Sequence, residues 1–290
     1  MNLYDMSGYL FIIAGSIVAM FWNVENFFDF REGKQSRGHF YAKCEGICKE
    51  ILRVSDEEGA LPDIVGFAEV ENAFTLKQII YSTVLRKTDY SPIHFDSPDH
   101  RGIDCALLFR RDRLRLISSK PCHITDSTGA IMPTRDILLA CFMTSDSVRI
   151  NVLINHHPSK YGGNSSGYGR KAAMERMLQI RDSLSSSGGI FLSMGDFNEE
   201  PGEILSGLRD LGIPLKEQGK GSIRFNGKWE LIDRCFVTDT VNASMRVFMD
   251  PAITVKDRTF GGEKPRRSSS GPFYQGGLSD HYPVIINLFY

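Results

Sequence analysis

Several apolar runs of this sequence end in side chains able to hold a cation, a phosphate or a proton. FWNVEN closes on Asn23 and Glu25, VGFAEVEN carries Glu69, and VLINHHPSK carries His156 and His157. SMGDFNEEP presents Asp196 and Asn198, and GGLSDHYPV sets Asp280 and His281 just ahead of the last apolar run. The types collected are carboxylates, carboxamides and imidazoles, with no cysteine among them. Oxygen donors suit hard cations such as Mg²⁺ or Mn²⁺, and Mg²⁺ is commonly held by one or two carboxylates plus water and substrate phosphate. Phosphate-ester chemistry is what such a set supports. Asp196 and Asn198 stand at i and i+2, so in extended chain they point the same way, one accepting and the other able to donate to an anionic oxygen. A histidine beside a carboxylate can deprotonate water while a second protonates the leaving oxygen, each step being worth about 10²–10⁴ in rate. Taken singly, GDFN also reads as a tight turn capped by Asp196, and Glu69 as the first solvated residue after a strand. His39, His94, His100 and His123 join no such set and default to surface or packing roles.

The elements that must position these groups are visible as strand-like runs: SIVAMFW, DIVGFAEV, CALLFR, ILLACFMT, VRINVLINHH, GIFLSMGDFN, LIDRCFVT and PVIINLF. Most are apolar enough for central strands buried on both faces. Helical patterns lie over Phe40–Val54, Phe74–Lys87 and Arg170–Leu184. Strands mixed with helices throughout predict an α/β or α+β layered domain, with the chemistry on loops at strand ends. Polar loops are expected over Ser159–Gly169 and Lys256–Gly277. One domain is expected from residue 17 to 290, behind a short apolar leader over residues 1–16.

Composition sets limits. With 34 Lys+Arg against 35 Asp+Glu the formal charge is 34 − 35 = −1, which excludes a uniformly basic nucleic-acid glove; 42% hydrophobic residues leave enough for a large core. Six cysteines without a CxxC pair argue against structural zinc. Cys44, Ile47, Cys48 and Ile51 repeat at helical spacing and read as core. The uncharged run from Gly8 to Phe21 is shorter than the roughly 20 residues of a membrane-spanning helix. It also lacks the basic start of an export signal. The compartment stays open, the cytoplasm being favoured and export remaining the alternative if that run is a residual signal.

With FWNVEN, PDIVGFAEVEN, RGIDCALLFR, NVLINHHPSKYGG, MGDFNEEP, LIDRCFV and LSDHYPV in this order, the chain resembles the endonuclease/exonuclease/phosphatase superfamily of DNase I-like metal-dependent phosphohydrolases. The resemblance spans Phe21 to the carboxyl end. It implies a four-layer sandwich, two mixed β-sheets face to face with helices outside. It also implies a Mg²⁺- or Mn²⁺-dependent phosphodiester hydrolase using in-line attack of water. Carried over residue by residue, Glu69 is the principal metal ligand, with Asn23, Glu25 and Asp280 beside it. His281 is general base or phosphate contact, oriented by Asp233. Asp196 positions the attacking water, Asn198 holds a phosphate oxygen, and His156 contacts phosphate or protonates the leaving group. Abasic-site endonucleases usually carry tyrosine at the last position, so the chain departs from them there.

Arg101 is expected at the substrate; Arg101 and Asp104 read equally as a structural ion pair, and so does Arg135. Asp96 is a candidate for orienting His156, and His157 is left out of the chemistry. Nucleic acid is the favoured substrate, because Arg110, Arg111, Arg113 and Arg115 crowd one segment and Lys256, Arg258, Lys264, Arg266 and Arg267 crowd a loop near Asp280. A phosphatase or phosphodiesterase acting on a phospholipid or small-molecule phosphoester is the alternative, and a catalytically silent binding module is the alternative of another class. No obligate protein partner is indicated, and a monomer is expected.

Overall fold

Strands whose side chains are apolar on both faces sit in the middle of sheets, and that rule organises this molecule. The computed structural model describes residues 15–160, 164–202, 204–271 and 273–290. In chain order the strands are β1 (Ser16–Phe27), β2 (Ile64–Val70), β3 (Tyr90–His94), β4 (Asp104–Arg110), β5 (Leu114–Cys122), β6 (Ile137–Thr144), β7 (Arg149–His156), β8 (Ile190–Asp196) and β9 (Leu208–Asp210). They continue with β10 (Ile223–Phe225), β11 (Lys228–Glu230), β12 (Asp233–Thr238), β13 (Asn242–Val247), β14 (Thr254–Lys256), β15 (Glu263–Pro265), β16 (Ser269–Ser270), β17 (Phe273–Tyr274) and β18 (Val284–Phe289). Two six-stranded sheets result, ordered β13-β18-β1-β2-β4-β3 and β5-β6-β7-β8-β12-β9. Both are mixed: β1 runs parallel to β2 and β7 parallel to β8, while the other pairings within them are antiparallel.

The period-2 alternation of β1 shows how the layers form. Ile17, Ala19 and Phe21 face the second sheet and pack with Leu138, Ala140, Val152, Ile154, Leu192 and Met194. Met20, Trp22 and Val24 face outward and are covered by Phe40, Cys44, Ile47, Cys48 and Ile51 of α1 (Arg37–Glu58) and by Leu76, Ile79 and Ile80 of α2 (Ala73–Tyr81). On the opposite outer face, Met177 and Ile180 of α3 (Asn164–Leu184) cover Leu139, Cys141, Leu153 and Phe191. A fourth, single-turn helix, α4 (Ile213–Glu217), follows β9. The layers are thus helix, sheet, sheet, helix. The sheets approach closely where Gly66 faces Ile154: a Cβ on Gly66 would lie 2.5 Å from its Cδ1. Along the parallel β7–β8 ladder, a Cβ on Gly195 would lie 2.3 Å from the Asn155 carbonyl oxygen.

Three expectations change. The helix expected over Phe74–Lys87 stops at Tyr81, because the Thr83 hydroxyl donates back to the Ile79 carbonyl and accepts from the Leu85 amide, starting a separate 3-10 turn at Val84–Lys87. α3 begins at Asn164, so part of the loop expected over Ser159–Gly169 is helical. The segment Lys256–Gly277 is not plain loop, since β15, β16 and β17 fall inside it. Of the apolar leader, residues 1–14 lie outside the described residues. All six cysteines are buried free thiols, and no helix among the described residues is long and apolar enough to cross a membrane.

Candidate active site

The chemistry sits where the strands stop being regular. After Asn23 the β1–β2 register shifts, and Glu25 and Asn26 take φ of 45° and 49°. A second shift interrupts the β2–β4 pairing between Phe67 and Val70, with Glu69 at φ 67°. Asn198, just past β8, has φ 50°. Non-glycine residues rarely adopt this left-handed region, and bulges of this kind re-aim side chains at the ends of strands. Local bonds hold the bends: the Glu25 amide donates to Asn23 Oδ1 at 3.0 Å and the Asn26 amide to Glu69 Oε2 at 2.7 Å. The Asn198 amide donates to Asp196 Oδ1 at 2.9 Å.

These bends and the loop before β18 surround one cavity of about 510 Å³. Asn23, Glu25, Glu69, Arg101, His156, Asp196, Asn198, Asp280 and His281 all line it. Asp233, at the start of β12, stands behind His281, its Oδ2 2.7 Å from the ring Nδ1. On the other edge of the ring, His281 Nε2 lies 3.9 Å from Asp196 Oδ2. Asp196 Oδ2 accepts from Asn23 Nδ2 at 3.0 Å, and His156 Nε2 is 3.7 Å from the same oxygen and 3.9 Å from Glu69 Oε1. The Asn198 side-chain amide is turned onto the His157 carbonyl at 3.0 Å.

The electrostatics separate the titratable groups. Burial alone would lower the His281 imidazole, but the charge and hydrogen bond of Asp233, with Asp196 and Asp280 adding, leave it well above the usual histidine value. Burial, helped by Asp233 and opposed by His281, pushes Asp196 up to about 7. His156 falls well below its usual value through burial and the nearby Arg135 and Arg101. Burial and Asp280 raise Glu25 against the pull of Arg267.

The expected cation ligands do not form one cluster. Glu25 Oε1 accepts from Arg267 at 2.9 and 2.8 Å, Glu25 Oε2 accepts from the Ser268 amide at 2.7 Å, and Asp280 Oδ2 accepts from the same guanidinium at 3.0 Å. Arg267 therefore occupies the position between Glu25 and Asp280. Glu69 and Asn23 adjoin, Asn23 Nδ2 being 3.5 Å from Glu69 Oε1. Asp196, Asp233 and His281 also bring ligand-type atoms within 4.8 Å of one another. His281 Nδ1 is already committed to Asp233 and Glu25 to Arg267 and the Ser268 amide, so the oxygen donors of Glu69 and Asn23 are the better match for a hard divalent cation.

Sequence reasoning passed over Lys43. Its ammonium donates to the Glu25 carbonyl at 2.7 Å and to Ser268 Oγ at 2.6 Å, and burial pushes it down to about 8. Its place one turn before Ile47, on the apolar face of α1, was the available signal. The wall built by Ile223, Phe225 and Glu230 of the β10–β11 hairpin was also missed. Other candidates resolve differently. Arg101 Nη2 bonds Asn26 Oδ1 at 2.9 Å and lies 3.4 Å from Glu69 Oε2, on the cavity wall. Arg135 is a buried brace between Asp99 and the His157 carbonyl. Asp104 takes the Ser97 amide and lies 3.4 Å from His94, not against Arg101. Asp96 does not orient His156: it is exposed, 3.8 Å from His94, and His156 Nδ1 is buried without a hydrogen-bond partner. His157 packs edge-on against Phe197 and is driven to about 3 by burial, consistent with a structural place. The arginines around residue 110 do not flank the cavity. Arg110 and Arg113 pair with Asp63, ahead of β2, whereas Glu69 lies near that strand's far end.

A family model described as the Endonuclease/Exonuclease/phosphatase family matches residues 18–289. The chain belongs to that family. Members of the family are phosphoesterase hydrolases, and the chain is an enzyme of that class. Among solved structures, TDP2 from C. elegans superposes with TM-score 0.63 at 14% identity, over 95% of this chain and 75% of that one. The human Nocturnin catalytic domain with bound sulfate gives 0.62 at 18% identity, over 95% of both chains. D. rerio TDP2 complexed with a single-strand DNA product gives 0.58 at 15% identity, over 95% of this chain and 99% of that one. These likenesses establish the four-layer fold. A search of curated protein sequences returns no match.

Proposed function

We propose that this family member is a divalent-metal-dependent nuclease, hydrolysing a phosphodiester by direct attack of water. The observation that carries the reading is the His281–Asp233 pair, 2.7 Å apart, with Asp196 Oδ2 3.9 Å beyond His281 Nε2 in the cavity that also holds Glu69 and His156. Asp196, raised to about 7, is matched to exchanging a proton with water near neutral pH. His281, kept charged by Asp233, donates to a phosphate oxygen, and the proton leaving the water goes to Asp196. His156 is neutral in this range and offers one N–H to the phosphate rather than a labile proton. Asn198 lines the same cavity and would reach phosphate by turning its amide from the His157 carbonyl. Glu69, with Asn23 beside it, would hold Mg²⁺ or Mn²⁺, which when bound supplies charge stabilisation at the phosphoryl oxygens. The single-strand DNA product held by D. rerio TDP2 supports nucleic acid as the substrate class.

The test offers supercoiled plasmid, single-stranded and abasic oligonucleotide, RNA, bis-p-nitrophenyl phosphate and sphingomyelin to purified protein, with Mg²⁺ or Mn²⁺ and with EDTA. Cleavage of a nucleic acid that EDTA abolishes and added metal restores is the expected result. EDTA-resistant turnover removes the metal from the reading, and cleavage confined to sphingomyelin replaces the substrate.

A further inference from the structure

A second cavity, of about 570 Å³, adjoins the catalytic one, and Arg267 stands in the wall of both. Lys256, Arg258, Lys264, Arg266 and Arg267 line it together with threonine and serine hydroxyls, and no carboxylate lines it. The β14–β15 hairpin builds one side, with Val255 opposite Lys264 and Lys256 opposite Glu263. The Arg266 amide donates to the Ile253 carbonyl at 2.7 Å, tying the hairpin's exit strand to its entry. Asp257 closes the turn from inside: buried, it accepts from the Thr259 and Phe260 amides and lies 3.4 Å from Lys264 and 3.7 Å from Arg224. Among the described residues no carboxylate pairs with Lys256, Arg258 or Arg266, and all three are exposed. Arg110 and Arg111, by contrast, are neutralised locally by Asp112 and Asp89.

Here five cations of one segment converge on a concavity that continues into the catalytic cavity through Arg267. Three of them, Lys256, Arg258 and Arg266, have no carboxylate partner among the described residues; gathering them around a hollow disfavours the empty protein, and that cost is offset when a polyanion enters. Guanidinium forks match phosphate oxygens in pairs, and lysines add point charge. We propose that this basic cavity is the subsite for phosphates flanking the scissile one, so that the substrate is a nucleic-acid strand and not an isolated phosphodiester. The inference rests on the phosphodiesterase reading of the neighbouring cavity.

The test is the triple variant Lys256→Ala, Arg258→Ala, Arg266→Ala, which leaves Arg267 and the catalytic residues in place, with circular dichroism melting as the check on folding. Its kcat/KM on a single-stranded oligonucleotide should fall at least about tenfold at 0.1 M salt, and the log–log salt slope should shallow by about 2, roughly 0.7 for each lost phosphate contact. Turnover of bis-p-nitrophenyl phosphate, which has no flanking phosphate, should stay within about twofold of wild type, since no cation–phosphate contact is lost there. Equal losses on both substrates, or none on the oligonucleotide, overturn the proposal. Fluorescence anisotropy of a labelled oligonucleotide in EDTA separates the two readings. Binding that the triple variant loses supports the subsite even if wild type cleaves only bis-p-nitrophenyl phosphate, a result that would defeat the nuclease reading alone. Absence of oligonucleotide binding by wild type overturns the subsite whatever the enzyme hydrolyses. Tighter binding to phosphatidylcholine vesicles containing a phosphoinositide than to the oligonucleotide, lost in the same variant, also overturns it in favour of a membrane ligand.

Discussion

Replacing Asp233 by asparagine should reverse the charge state of His281 without moving the ring. The His281 main chain is held in place, its carbonyl accepting from Trp22 Nε1 at 2.9 Å and its amide donating to Ser279 Oγ at 3.0 Å, and asparagine keeps an acceptor for Nδ1–H. At 2.7 Å and an effective dielectric of about 20, the ion pair is worth roughly 6 kcal/mol before desolvation. Burial of the imidazolium opposes this by several kcal/mol, and the raised His281 value shows that Asp233 prevails. In Asp233→Asn burial is left against the weaker Asp196 and Asp280, so His281 should fall from above to below the ordinary histidine value. An NMR titration of the histidine ring protons, in EDTA so that no cation intervenes, reads this directly. Stability changes in step. The wild-type pair contributes stability that is fully present below the unfolded value of about 6.5 and is lost as pH rises through the raised folded value, and the variant lacks that contribution throughout. Turnover should fall about 10²–10⁴-fold. A His281 that still titrates above about 6.5 in Asp233→Asn refutes the reasoning, because burial would then not be the opposing force.

Asp196→Asn and Glu69→Gln should each lower turnover by about 10²-fold or more while far-UV circular dichroism stays native; near-normal turnover in either breaks the assignment. Arg234→Met leaves the Asp210 carboxylate buried without the guanidinium that bonds its Oδ2, and urea unfolding should show a loss of about 3–5 kcal/mol. Adding Asp210→Leu should recover most of it, and failure to recover would locate the loss in packing. In Gly195→Ala the new methyl meets the Asn155 backbone oxygen at 2.3 Å inside a paired ladder; a destabilisation of about 3 kcal/mol or insoluble protein is expected, and a native melting curve argues against the close approach.

What the sequence disclosed follows the position of each strand in its sheet. The runs that read as strands became β1, β2, β4, β6, β7, β8, β12 and β18, all interior. β3, β5, β9 and β13, the four sheet edges, went unread. Interior strands are covered on both faces and must be continuously apolar, whereas an edge strand carries the polar residues and prolines that discourage further pairing. LRLISSKPC of β5, with its many exposed positions, looks like loop, and Pro92 interrupts β3. The candidate site was legible because its residues terminate the apolar runs. Two things were not: which carboxylates meet, since Arg267 reaches Glu25 across 242 positions, and where the Arg110 segment lies, since strand direction decides which end of a sheet a residue occupies.

The left-handed backbone at Glu25, Asn26, Glu69 and Asn198 bears on how this protein can change. L-residues pay roughly 1–2 kcal/mol for that conformation, and glycine is free of the penalty. Selection for heat resistance alone would therefore favour glycine at these positions, while selection for turnover retains the side chains. A laboratory lineage screened only by melting temperature should lose its chemistry there first, with the fold growing firmer as it does. Glycine at position 69 in a related sequence would mark a scaffold that has exchanged catalysis for rigidity.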